Sequence, residues 1–114
     1  MKQQICILGS TGSIGTQALE VIRQHPDRYE AYALTANNHW ELLAQQAREF
    51  HPAAVVIANE AHYEALKEAL RDEPDTKVYA GRDAVCQIVE AGPITMVLTA
   101  MVGFSTTILS NPRE

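Results

Sequence analysis

Long hydrophobic runs are missing from this chain. The apolar stretches, such as Ile5-Cys6-Ile7-Leu8 and Ala54-Val55-Val56-Ile57, are only a few residues long, which excludes a membrane-spanning helix. Met1-Lys2-Gln3-Gln4 leads directly into a strand-like segment rather than a secretory apolar region, so a cytoplasmic location is expected. Cysteine is scarce as well. Two residues, Cys6 and Cys86, are too few for a disulfide framework, and neither is flanked by the positive charge that would lower a thiol pKa. Both are expected to be small buried hydrophobes. Basic charge is also in deficit, with 9 Lys and Arg against 14 Asp and Glu and no Lys/Arg cluster, which makes nucleic acid or an anionic membrane a poor partner.

Reactive constellations are equally absent. His25, His51 and His62 have no second ligand at zinc spacing, and there is no H-E-x-x-H. Acidic pairs such as Asp72 with Glu73 and Glu60 with Glu64 read as solvated turn and helix charges, and no nucleophile has a plausible base. No catalytic residue and no metal ligand is therefore expected here. A chain of 114 residues makes one domain and is too short for a dinucleotide domain plus a substrate domain, so any enzyme would be incomplete in it.

What is present is concentrated near the N-terminus. The apolar run Ile5 to Leu8 is followed by Gly9-Ser10-Thr11-Gly12-Ser13-Ile14-Gly15. The run suits a parallel strand covered on both faces, and the glycines let the backbone turn sharply and approach a ligand closely. An amphipathic helix follows, with Ile14, Ala18, Val21 and His25 at helical spacing and Leu19 and Ile22 widening the stripe. The free N–H groups of Thr11, Gly12 and Ser13, with the hydroxyls of Ser10, Thr11 and Ser13, would then face a pyrophosphate. The spacing is G-x-x-G-x-x-G rather than G-x-G-x-x-G, so its position between strand and helix carries the reading.

Strand-like and helix-like segments alternate from end to end, as in an α/β fold: a Rossmann-like, doubly wound parallel sheet in three αβα layers. Further strands are expected at Glu30 to Thr35, Ala54 to Ile57, Lys77 to Tyr79 and Ile94 to Thr99. Between them a helix runs from about His39 to Phe50, opened by a capping box of Asn38 and Glu41 and facing the sheet with Leu42, Leu43, Ala47 and Phe50. Asn59 is expected to cap a helix with Tyr63, Leu66 and Leu70 inward, and Gly81 to precede one through Ala84, Val85, Ile88 and Val89. Residues 1–105 form the domain in this reading, and 106–114 a loop or frayed tail.

Such a sheet binds its ligand beyond the carboxyl ends of its strands, where Gly9 to Ser13, Ala36 to His39 and Ala100 to Gly103 should converge. The end of the second strand, Thr35-Ala36-Asn37-Asn38-His39, lacks the Asp or Glu that holds the ribose hydroxyls of NAD, which tilts the cofactor toward NADP. Trp40 is expected to pack rather than to stack on an adenine. From these residues alone, a stand-alone NAD(P)-binding sensor or interaction module and the N-terminal half of an aspartate-semialdehyde type dehydrogenase remain open.

Residues 7 to 15, Ile-Leu-Gly-Ser-Thr-Gly-Ser-Ile-Gly, closely resemble the 1-deoxy-D-xylulose 5-phosphate reductoisomerase family. So do Ala33-Leu34-Thr35-Ala36-Asn37-Asn38, the Q-x-x-x-F-x-P pattern of Gln46 to Pro52, and Ala100-Met101-Val102-Gly103. The resemblance implies the NADPH-binding domain of an enzyme of non-mevalonate isoprenoid synthesis. Its reaction converts 1-deoxy-D-xylulose 5-phosphate to 2-C-methyl-D-erythritol 4-phosphate, with Mg²⁺ or Mn²⁺ and the sugar phosphate held by a catalytic domain absent from this chain, in a homodimer. Carried over by position, Thr11, Gly12, Ser13 and Ile14 would hold the cofactor phosphates, with Gly9, Ser10 and Gly15 completing the cofactor-binding loop. Asn37, Asn38 and His39, after the cofactor-binding candidate Ala36, would lie at the adenosine 2′-phosphate side, and Ala100 and Met101 near the nicotinamide. Many members have Gly-Lys-Asn or Gly-Arg-Asn where this chain has Asn37-Asn38-His39, so the usual basic partner of the 2′-phosphate is missing and His39 is left as the one candidate cation nearby, a weak one at neutral pH.

Overall fold

Short apolar segments separated by amphipathic helices can bury both faces of each strand only by forming a parallel sheet with helices packed on it. The computed structural model, which describes residues 2–90, 92–99 and 107–109, shows that arrangement. The strands are β1 (Gln3–Leu8), β2 (Tyr29–Ala36), β3 (Ala54–Ile57), β4 (Lys77–Ala80), β5 (Met96–Thr99) and β6 (Thr107–Leu109). The helices are α1 (Ser13–Gln24), α2 (Trp40–Phe50), α3 (Tyr63–Ala69) and α4 (Arg82–Ile88). One sheet runs β4-β3-β2-β1-β5-β6, parallel except for β6, which pairs antiparallel with β5. The tail expected at 106–114 is thus corrected at 107–109, whose backbone closes the β5 edge.

Strand order explains the layers. From β1 to β4 each crossover moves the chain one strand in the same direction, and right-handed crossovers then put α1, α2 and α3 on one face. The connection from β4 back to β5 moves the other way and carries α4 to the opposite face. The core divides accordingly. Ile5, Ile7, Leu34, Val55 and Ile57 pack under Leu19 and Ile22 of α1, Leu43 and Ala47 of α2, and Leu66 of α3. Cys6, Ala33, Ile94 and Val97 form the second cluster, with Ile88 and Val89 against it. A register shift opposite Ile5 and Cys6 lets Ala31 and Leu34 share the first face while Ala33 turns to the second.

Several local expectations shift. The inward stripe of α1 is Gly15, Leu19 and Ile22, whereas Ile14 and Val21 are 40% and 49% exposed. Gly15 decides this rotation: a Cβ there would lie 2.3 Å from the Gly9 carbonyl oxygen, so only this face of the helix can approach the end of β1 so closely. Asn59 caps a single 3₁₀ turn at Glu60–His62 rather than α3, its Oδ1 accepting from the Ala61 N–H at 3.0 Å. Trp40 packs on the core, as expected.

Candidate functional site

β1 ends at Leu8, and Gly9 takes φ 85°, a conformation that suits glycine. The Gly9 N–H donates to the carbonyl and hydroxyl oxygens of Thr35, each at 3.1 Å, and the Ser10 N–H donates to the same carbonyl at 2.8 Å. The first loop is thereby sewn to the end of β2. Ser10 itself is fully buried. Its hydroxyl donates to Oε1 of Gln46 at 2.7 Å, while Nε2 of Gln46 donates to the Ser10 carbonyl at 2.9 Å. Ser10 is therefore corrected from a ligand-facing hydroxyl to an anchor, because a buried hydroxyl must pair and Gln46 on α2 offers the partner.

Gly12 is corrected in one respect. Its N–H is spent on the Gly9 carbonyl at 3.2 Å, closing a turn. The first i to i−4 bond of α1 runs from Thr16 N–H to the Gly12 carbonyl at 2.9 Å, so the amides of Ser13, Ile14 and Gly15 precede it and have no intrahelical acceptor. The amides left over at this helix start are therefore those of Ser13, Ile14 and Gly15 rather than that of Gly12. Gly12 nevertheless lines the cleft, with Gly9 and Thr11, and its extended backbone (φ −81°, ψ 174°) points no side chain into it. Gly15 is buried against the Gly9–Ser10 backbone and serves packing.

The second loop follows β2 and is tied to the loop after β3. The Ala58 and Asn59 N–H groups donate to the Ala36 and Asn37 carbonyls at 2.8 and 3.0 Å. The capping box expected at Asn38 and Glu41 does not form: His39 occupies the cap position without a side-chain bond, and Asn38 turns across to Asn59. The cause is a competing partner. Because the Ala61 N–H can only donate, it fixes Oδ1 of Asn59 as acceptor and leaves Nδ2 to donate to Oδ1 of Asn38 at 2.7 Å. Asn38 is left with its own two N–H donors uncommitted to that contact.

Both loops line one cleft of about 760 Å³, within the range of small-molecule sites. Gly9, Thr11 and Gly12 form one side, and Ala36, Asn37, Asn38 and His39 another. Ser13 and Ile14 stand exposed in the first turn of α1 beside Gly12, and do not line it. Ala100, Met101 and the Ala100 to Gly103 loop lie outside the described residues. The third wall was not anticipated: Arg82, Val85, Cys86 and Val89 face the cleft at i, i+3, i+4 and i+7 of α4 and its C-terminal end. Two corrections follow. Cys86 is exposed in this wall rather than buried, and His39 shares the cleft with a guanidinium, that of Arg82. Cys6 is buried as expected, and burial pushes its thiol up to about 12. No carboxylate lines the cleft among the described residues, nor do three His, Cys, Asp or Glu side chains gather anywhere among them.

The model for the 1-deoxy-D-xylulose 5-phosphate reductoisomerase family matches residues 5–109. The chain belongs to the reductoisomerase family. The reductoisomerase of Bacteroides thetaiotaomicron is 74% identical over 104 residues, and that of Porphyromonas gingivalis 54% over 105. These alignments cover 91% and 92% of this chain but 26% and 27% of the relatives, so the chain spans about a quarter of their length. Among solved reductoisomerases, one bound to magnesium superposes with TM-score 0.84 at 36% identity, covering 90% of this chain and 26% of that one. The Zymomonas mobilis reductoisomerase in complex with NADPH gives 0.77 at 36% identity, covering 82% and 24%. This membership displaces the aspartate-semialdehyde alternative. The match to residue 109 also takes in the β6 strand that sequence alone left in a tail.

Sequence reasoning gave no role at this site to Gln46, which anchors its first loop, or to Arg82, which lines it. Gln46 left a signal, since it is a polar residue on the apolar stripe of α2 beside Leu43 and Ala47. A buried amide implies a partner. Arg82 left none, because its nearness to Asn38 arises from strand order rather than from spacing in the chain.

Proposed function

We propose that this chain is the NADPH-binding part of a 1-deoxy-D-xylulose 5-phosphate reductoisomerase, reducing in the cytoplasm an isomerised sugar phosphate for isoprenoid synthesis. One observation carries the reading: the glycine loop after β1 and the Asn37-Asn38-His39 loop after β2 open onto a single cleft that no carboxylate lines among the described residues. Helix-terminal amides suit a pyrophosphate, and amide donors without a carboxylate suit an esterified ribose. Support comes from the related Zymomonas mobilis enzyme, which is described in complex with NADPH.

In this reading residues 1–105, with Thr107–Leu109 added, make the cofactor domain. Gly9, Thr11, Gly12, Ser13 and Ile14 cradle the phosphates, with Ala36, Asn37, Asn38 and His39 at the adenosine and Ala100 and Met101 toward the nicotinamide. The cofactor supplies a hydride, and the protein's part here is to orient it and keep its phosphates fixed. The sugar phosphate, the Mg²⁺ or Mn²⁺ ion and the homodimer contact belong to the rest of the enzyme, and no step through a metal is assigned to these residues. Calorimetric titration of the chain with NADPH is the test. Saturable one-to-one binding is expected, and no heat at millimolar cofactor would overturn the proposal.

A further inference from the structure

We propose that Arg82 is the specificity-determining cation of the cleft, pairing with the 2′-phosphate that distinguishes NADPH from NADH. The inference rests on the cofactor reading above. The loop after β2 contributes Asn37, Asn38 and His39 but no permanent positive charge. Neutral amides and an imidazole attract a phosphate dianion far less than a guanidinium does. Arg82 stands in the same cleft wall, is exposed, and forms no ion pair with a carboxylate among the described residues.

Its position follows from the sheet. The Gly81 N–H donates to the Ile57 carbonyl at 2.9 Å, aligning the end of β4 with that of β3, and the Ala58 and Asn59 N–H bonds align β3 with the loop after β2. Arg82 therefore starts two strand spacings, or about 10 Å, from the Asn37-Asn38 backbone, a gap that its long side chain and a phosphate can bridge. Gly81 at φ 100° makes the turn that directs α4 over the strand ends. The Asn59 to Asn38 bond leaves N–H donors of Asn38 on the other side of the same gap. A guanidinium and an amide then present donors alone, which matches an acceptor-only phosphate and not a pair of ribose hydroxyls.

The test compares NADPH and NADH binding by calorimetry for the chain and for Arg82→Gln, Arg82→Lys and His39→Ala, with circular dichroism to verify folding. Arg82→Gln should weaken NADPH roughly tenfold to a hundredfold and change NADH less than twofold, as expected for loss of a charge-assisted bond. Arg82→Lys should fall between, since charge is kept and the fork lost. Adenosine 2′,5′-bisphosphate, tested alone, should follow NADPH, and 5′-ADP should follow NADH. Equal weakening of both cofactors would place Arg82 at the pyrophosphate and overturn the inference. So would an unchanged preference in Arg82→Gln, or a preference abolished by His39→Ala alone. Failure of the unmodified chain to bind either cofactor would instead refute the cofactor reading, and this inference with it.

Discussion

Ser10 and Gln46 hold each other by two hydrogen bonds, hydroxyl to amide oxygen at 2.7 Å and amide nitrogen to backbone carbonyl at 2.9 Å, in a site closed to solvent. They lie 36 residues apart, and the pair is the only side-chain link described between the glycine loop and α2. The loop's shape is thus set before any ligand arrives, which lowers the ordering cost of binding.

Gln46→Leu keeps the volume roughly but strands the Ser10 carbonyl and leaves the Ser10 hydroxyl only the Thr35 carbonyl, at 3.4 Å. A loss of about 1–3 kcal/mol is expected from the unpaired buried groups. Thermal unfolding measures it as a fall of several degrees. NADPH binding should weaken more in Gln46→Leu than in Arg71→Gln, a surface change at an exposed ion pair with Glu68. A double-mutant cycle with Ser10→Ala should show clear coupling, and simple additivity would contradict the clamp.

Two neighbouring glycines should answer substitution in opposite ways. Gly12 is exposed, with an extended backbone that any residue adopts, so Gly12→Val should fold and melt close to the unmodified chain yet lose NADPH binding by filling the cradle. Gly15→Ala meets backbone, with Cβ at 2.3 Å from the Gly9 oxygen and 2.6 Å from the Ser10 Cα. Backbone cannot step aside as a side chain can, and overpacking should cost about 1–3 kcal/mol, read as a lowered melting temperature.

The two thiols should also separate. Cys86 lies exposed in the cleft wall and should react with a maleimide reagent, whereas Cys6, fully buried, should not. Mass spectrometry of the labelled chain would show one adduct, and saturating NADPH should slow its formation. For Cys6 the folded pKa of about 12 exceeds the ordinary 9.0. Its contribution to stability is therefore complete below pH 9 and is lost as pH rises through the folded value, because the unfolded thiol ionises first. Alkaline unfolding should shift upward in Cys6→Ala only if the cavity it leaves is small.

Much of this protein was legible before its structure was known. Ile5 to Leu8 and Ala54 to Ile57 read as buried strands because four successive apolar residues need cover on both faces, and β3 spans the predicted four residues. The glycine loop was legible because glycine marks places where a Cβ cannot go, a local property. The face of α1 was not, since Ile14 and Val21 satisfy helical periodicity as well as Leu19 and Ile22 do, and the close approach at Gly15 chose between them. Asn38 likewise had a cap's spacing, but a partner 21 residues away claimed its side chain.

The order of strands divides the two kinds of knowledge. Residue pattern determined that this chain makes an α/β sheet with a glycine-lined turn at its first strand end, because burial and backbone sterics act within a few residues. Only the tertiary structure decided that the fourth helix crosses back over the strand ends and brings Arg82 and Cys86 opposite Asn38, because strand pairing joins residues far apart in the chain through backbone hydrogen bonds that are the same for every sequence.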